Sequence, residues 1–420
     1  MARYESDSQF REITRTGASI TTRTGKLGNR GRATTKLYAN VKAAERAFAE
    51  LCVKQGHDGF ALVESDPPAT TDIAPPDEGA DLEAAIEDAP YDVDGYLVYA
   101  DALQRQGDPR GELIALQIAA ERDDARPAVK TAPGKLLAKN VATLLGPLAR
   151  HVTDVRDVAA PPFRWRHGFI HRVELASAAG HAPAALLDEV LGHPSGRFVV
   201  ELAARCLDHA EATAVLATIE RVHPPALREL DLHVQIPSGT LGALDSLWPV
   251  LDRLERIALV ANSFELGDLA LPATRRARFA ARTMSESSTV AIAKAPWPVL
   301  ERLELDLSRS EADFVDLQPL FKRDDLPALT HLKIRGCAFA GAITRALIDT
   351  AMARRLEVLD LSQGEINPGD AERMARAASS FPALRELWLP LDRLRAQDIE
   401  ALKTVAKHVI NERRAAIEPF

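Results

Sequence analysis

Few residues of this 420-residue chain stand at spacings that could do chemistry. His167 and His171 are four apart, which on a helix would aim two imidazoles at one metal ion. Their segment, FRWRHGFIHRVEL, reads instead as strand and turn, where that spacing does not converge. Packing or surface histidines are expected. Pro133-Gly134-Lys135 ends like a phosphate-binding loop, but Leu136 follows the lysine and the upstream glycine is missing. Cys52, Cys206 and Cys337 are far apart and odd in number, which fits reduced thiols better than a disulfide framework or a zinc site. No G-x-S-x-G, H-E-x-x-H or C-x-x-C occurs. No catalytic residue, metal or cofactor is therefore expected, and the chain reads as non-enzymatic. A hydrolase or nucleotide-binding enzyme is a remaining class with no residues to support it.

Charge gives a second lead. Residues 20–38 carry Arg23, Lys26, Arg30, Arg32 and Lys36 and no acid, in a chain of formal charge -8. Residues 1–60 hold eleven Lys/Arg against six Asp/Glu, a net of +5, and residues 61–100 hold eleven Asp/Glu and no Lys or Arg, a net of -11. Such a partition marks separate modules. Either the basic residues contact phosphates of a nucleic acid, without sequence preference and with steep salt dependence, or the basic hairpin docks on protein, its own acidic segment included.

The elements that must position these residues follow from periodicity. At 46% hydrophobic and 27% charged, the composition is that of a globular protein, and the length exceeds one ordinary core. No apolar run approaches the ~18 residues of a membrane span. The N-terminus lacks an apolar leader, so a cytoplasmic protein is expected. Residues 10–13, 19–24 and 33–38 read as strands, with turns at 16–18 and 28–31. Asn40 is placed to cap a helix bearing Val41, Ala44, Phe48, Leu51 and Cys52 on one face. Residues 64–81, with four prolines and several acids, read as a tether. Residues 82–117 read as helices broken at Gly107-Asp108-Pro109.

From about residue 168 one phrase recurs: apolar, two residues, apolar, one residue, apolar. It starts at 170, 199, 227, 254, 274, 300, 329, 356 and 384, mostly 26 to 29 residues apart. Each phrase suits a short strand that turns large side chains into a shared interior, with helical stretches such as AGAITRALIDTAMAR between.

Three resemblances rest on these patterns. TRTGKLGNRGR and its flanking strands resemble the WGR domain, with Thr24 at the Trp position, Lys26 at the Arg position, and Gly25, Gly28 and Gly31 kept. That resemblance implies nucleic-acid binding by Arg23, Lys26, Arg30, Arg32 and Lys36. LVYADALQRQGDPRGELI is similar to a short companion domain that precedes leucine-rich repeats in some bacteria. The strand–loop–helix period resembles the ribonuclease-inhibitor-like leucine-rich repeat. Together they imply an α/β leucine-rich-repeat solenoid, a horseshoe, with a small α+β WGR-like domain and a helical cap. The expected division is a head over 1–62, a linker over 63–81, a helical cap over 82–165 and repeats over 166–420.

The strand positions between core residues are then offered to a partner. Arg256, Arg276, Arg278, Arg302, Lys333 and Trp388 are the expected partner-binding residues, seating an acidic protein surface. The functional expectation is a bacterial adaptor whose repeats bind protein and whose head contacts DNA or RNA. The alternative is a protein-interaction scaffold with no nucleic-acid binding.

Overall fold

The computed structural model describes residues 2–6, 8–16, 19–29, 31–38, 47, 48, 51, 54, 61–65, 78–159, 161–177, 182–308, 310 and 312–411. Most of the tether expected over 63–81 lies outside them. The chain forms two compact units, Met1–Glu78 and Gly79–Phe420.

In the first unit, β1 (Ala2–Glu5), β2 (Gln9–Thr16), β3 (Ser19–Lys26), β4 (Arg32–Leu37) and β5 (Ala61–Ser65) make an antiparallel sheet in the order β4-β3-β2-β1-β5. Tyr4, Ile13 and Ile20 are buried in a small core against Tyr38, Ala47, Phe48 and Leu51. Asn40, Val41, Ala44 and Cys52, named for the helix above, lie outside the described residues. Phe10 is three residues from Ile13 and so takes the opposite side of the strand. It explains two glycines of the basic hairpin. A Cβ on Gly25 would lie 2.9 Å from the Phe10 ring, and one on Gly31, at φ +63°, would lie 2.7 Å from it. Those glycines make room for a core aromatic, a packing reason that needs no ligand.

The second unit opens with α1 (Glu78–Asp88), α2 (Val93–Gln106), α3 (Pro109–Ala120) and α4 (Pro127–Lys139). Gly107 ends α2 in the left-handed region at φ 76°, and the Asp108 carboxylate accepts from the Arg110 N–H, 2.9 Å, to start α3. Tyr96, Tyr99, Leu103 and Ile114 bury against Phe169 and Phe198. The Pro-Gly-Lys triplet is inside α4. A Cβ on Gly134 would stand 2.0 Å from the Arg156 carbonyl oxygen, so this glycine serves helix packing.

An eleven-stranded sheet follows: β6 (Phe163–Arg166), β7 (Phe169–Ala176), β8 (Glu201–Cys206), β9 (Glu229–Val234), β11 (Arg256–Ala261), β13 (Arg276–Ala281), β14 (Arg302–Asp306), β15 (His331–Arg335), β16 (Val358–Asp360), β17 (Glu386–Leu389) and β18 (His408–Asn411). All neighbours are parallel except the β6–β7 hairpin at one edge. Two short strands, β10 (Thr240–Ala243) and β12 (Ser263–Glu265), pair separately. The apolar phrases supply the interior: Leu230, Leu232, Ile257, Leu259, Leu303, Leu305, Leu332, Ile334 and Leu359 are all buried in one continuous core. Each such side chain contributes roughly 1.5–3 kcal/mol on burial. Where the fifth phrase has Thr274 in place of leucine, its hydroxyl donates to the Leu254 carbonyl, 2.6 Å, and Phe279 fills space beside Phe264.

These observations correct the fold expected from the sequence. A repeat needs one crossover copied along the chain. Here β8 and β9 are joined through a helix of 14 residues, His209–Val222, whereas β9 reaches β11 through β10 and a 3-10 segment, Asp245–Val250. β11 reaches β13 through β12 and loops alone. Between β15 and β16 the expected single helix is two, Ala340–Leu347 and Ala351–Arg355, interrupted where Asp349 takes φ 64°. The fold is mixed α/β with one large, mostly parallel sheet. The horseshoe solenoid with a WGR-like head and a helical cap is replaced by this description.

Candidate anion-binding face

Sheet residues that alternate with the core positions form a second, half-exposed face. The register sets them in rows, with roughly 4.8 Å from strand to strand. One row runs Arg172, Glu201, Glu229, Arg256, Arg276, Arg302, His331, Val358, Glu386, His408. Beside it run Glu174, Ala203, Asp231, Ala258, Arg278, Glu304, Lys333, Asp360, Trp388 and Ile410.

Most charges in these rows are matched across strands. Arg172 donates to Glu201 at 2.9 Å, Arg256 to Glu229 at 2.9 Å and Arg205 to Asp231 at 3.1 Å. Lys333 pairs with Glu304 at 2.8 Å and Arg335 with Asp360 at 2.9 Å. A hydrogen bond from His171, with Arg172 adding to it, holds the Glu201 carboxyl down to about 2 against the opposing effect of burial. These are ordinary cross-strand pairs, which stabilise a sheet.

The middle breaks that rule. Arg276 has Arg256 on one side and Arg302 on the other, with Arg278 two residues along the same strand. Arg276 is exposed and Arg302 half-buried, and among the described residues neither side chain has an ion pair. Like charges directly opposite destabilise a sheet. Burial, and then the charge of Arg302, lower the pKa of His331 next in the row. A guanidinium fork is the side chain best shaped for bidentate contact with carboxylate or phosphate. Chemically, this strip can hold an anion.

The structure sorts the residues named from the sequence. Arg256, Arg276, Arg278 and Arg302 come together on three adjacent strands. Lys333 is one strand further and held by Glu304. Trp388 is four strands from β13, ~19 Å at that spacing, and its indole N–H donates to Glu386 at 3.1 Å. The basic hairpin is divided. Cross-strand pairs point to one side: Arg32 and Lys36 stand opposite Thr24 and Ile20, on the side of the Ile20 core, while Arg23 stands opposite Ala33 on the other. Lys26 is exposed at the end of β3, the Lys36 ammonium lies 5.1 Å from the Tyr38 ring, and Arg30 lies outside the described residues.

Glu229, Glu304 and Asp360 match three of the cations from 27, 29 and 25 positions away, a pairing that the local sequence does not show. The only signal is the register itself. His167 sits in the β6–β7 turn at φ 46°, its ring 4.8 Å from that of Tyr96, and burial lowers its pKa. Among the described residues no three of His, Cys, Asp and Glu are grouped to hold a metal. Burial pushes the Cys206 and Cys337 thiols up to about 12; Cys52 lies outside the described residues.

No family model and no curated protein matches the chain. A crystal structure of a Bacteroides fragilis protein is similar over 98% of this chain and 95% of its own, at 13% identity and a TM-score of 0.47, a likeness too distant to bear on function. The WGR, companion-domain and leucine-rich-repeat resemblances are therefore not sustained. The bacterial adaptor, the nucleic-acid-binding head, the protein partner on a repeat face and the alternative scaffold presuppose that architecture, and with a different fold and no matching family they are not sustained either. Among the described residues no helix is long and apolar enough to cross a membrane.

Proposed function

We propose that the chain works by binding a multiply charged anion, phosphate- or carboxylate-bearing, across the middle strands of the large sheet, rather than by catalysing a reaction. Arg276 and Arg302 make the direct contacts, and Arg278 borders them. One observation carries this reading: Arg276 and Arg302 stand side by side in register without an ion pair among the described residues, in a face where Arg256, Lys333 and Arg335 are matched by acids. Departures from a stabilising local rule concentrate at functional sites. Buried thiols at Cys206 and Cys337 support a reducing, cytoplasmic setting.

The test is isothermal titration of the full chain with inorganic tripolyphosphate. Binding is expected at low ionic strength and falls as salt rises. The variant Arg276→Glu with Arg302→Glu loses two charge-assisted contacts of roughly 1.5–3 kcal/mol each, so its affinity drops at least a hundredfold. Equal affinity in wild type and variant, or no binding by wild type, rules the reading out.

A further inference from the structure

A cleft of about 540 Å³ opens at the loops that follow β15 and β16. Its size is that of a small-molecule site, and its walls are loops set on a rigid sheet, where binding residues concentrate. The half-buried Phe339 gives it apolar surface above a buried Ile366, while Arg345, Asp370, Arg393 and Glu365 line it with two cations and two anions. The inner pair, Arg345 with Asp370, is fixed from both sides. The Asp370 side chain is 5% exposed, and a Cβ on Gly341 would stand 2.1 Å from its carboxylate, so the acid lies against the start of Ala340–Leu347. The rim pair is different. Arg393 donates to Glu365 at 3.1 Å with side chains 63% and 58% exposed. A surface pair of that kind holds little free energy, so its two ends can exchange each other for a ligand at small cost.

We infer that this cleft binds a zwitterion with an apolar body, of the size of an apolar dipeptide. Its ammonium replaces Arg393 on Glu365, its carboxylate replaces Glu365 on Arg393, and its side chains lie on Phe339. Both signs of charge are needed, because the lining is balanced and favours no simple anion or cation. This site is separate in sequence and in residues from the arginine strip.

Equilibrium dialysis of the full chain with labelled leucyl-leucine tests it. The dipeptide binds; N-acetyl-leucyl-leucine and leucyl-leucine amide, each lacking one charge, bind about fivefold more weakly, as loss of ~1 kcal/mol from an exposed contact requires. Arg393→Ala and Glu365→Gln each weaken leucyl-leucine similarly without moving the urea midpoint, since both side chains are exposed. Arg276→Glu leaves dipeptide binding unchanged, which separates this inference from the anion face. Equal binding of capped and free dipeptides, or no retention of leucyl-leucine by wild type, overturns it.

Discussion

Replacing Arg276 by Glu should make the protein more stable while removing its anion site. Arg276 has a guanidinium-bearing neighbour on each side, Arg256 and Arg302, in direct register. Reversal turns two like-charge pairs into two opposite-charge pairs, each worth roughly 0.2–1 kcal/mol in a sheet. Arg256 is already held by Glu229 at 2.9 Å and Arg276 is exposed, so the lower part of that range applies. The net gain is about 1 kcal/mol at low salt. Urea unfolding followed by tryptophan fluorescence reads it cleanly, because Trp165, Trp248, Trp297 and Trp388 all belong to the second unit. The midpoint should rise with the slope unchanged. At ~1 M salt, where the screening length is about 3 Å, the gain should vanish. A lower midpoint, or a gain indifferent to salt, would refute the reasoning that the strip is held at a cost.

Other expectations concern the scaffold. Glu201 has a folded pKa of about 2 against an ordinary 4.5, so its stabilisation is present above pH 4.5 and is lost as pH falls toward 2; Glu201→Gln should flatten that acid limb in urea titrations and lower stability at neutral pH by ~1–3 kcal/mol. Arg110 is buried, donates to Ser195 Oγ at 3.1 and 2.9 Å and pairs with Asp108 at 2.7 Å, so Arg110→Ala should cost about 3 kcal/mol or more, seen as a lower urea midpoint. Gly134→Ala sets a methyl 2.0 Å from a backbone oxygen and should cost ~1–3 kcal/mol in the same assay; a neutral effect would contradict the close packing of α4.

How much of this was legible in the sequence depended on range. Strands β7 to β9, β11 and β13 to β17 announced themselves, since their apolar alternation is local and Leu303 with Leu305 reads as an inward face whatever lies around it. What joins the strands was not legible: an apolar triplet says nothing about whether a helix, a 3-10 turn or β12 follows, and reading equal spacing as an equal unit produced the solenoid. Strands β1, β5, β10, β12 and β18 are three to five residues long and lie outside the recurring phrase, so they gave no periodic signal. The arginine strip was visible as residues flanking core positions. Its division into matched and unmatched charges was not, because Arg256 meets Glu229 and Lys333 meets Glu304 only through the register. Gly25 and Gly31 show the same limit, for a glycine required by the Phe10 ring looks identical in sequence to one required by a ligand.

The anion site itself is tested most directly by a crystal structure of the full chain with tripolyphosphate. Density for the anion across β13 and β14, within hydrogen-bond reach of the Arg276 and Arg302 guanidiniums, is the predicted result. An ordered anion bound elsewhere with that face bare, or those two guanidiniums turned onto neighbouring acids with no ligand between them, would contradict it.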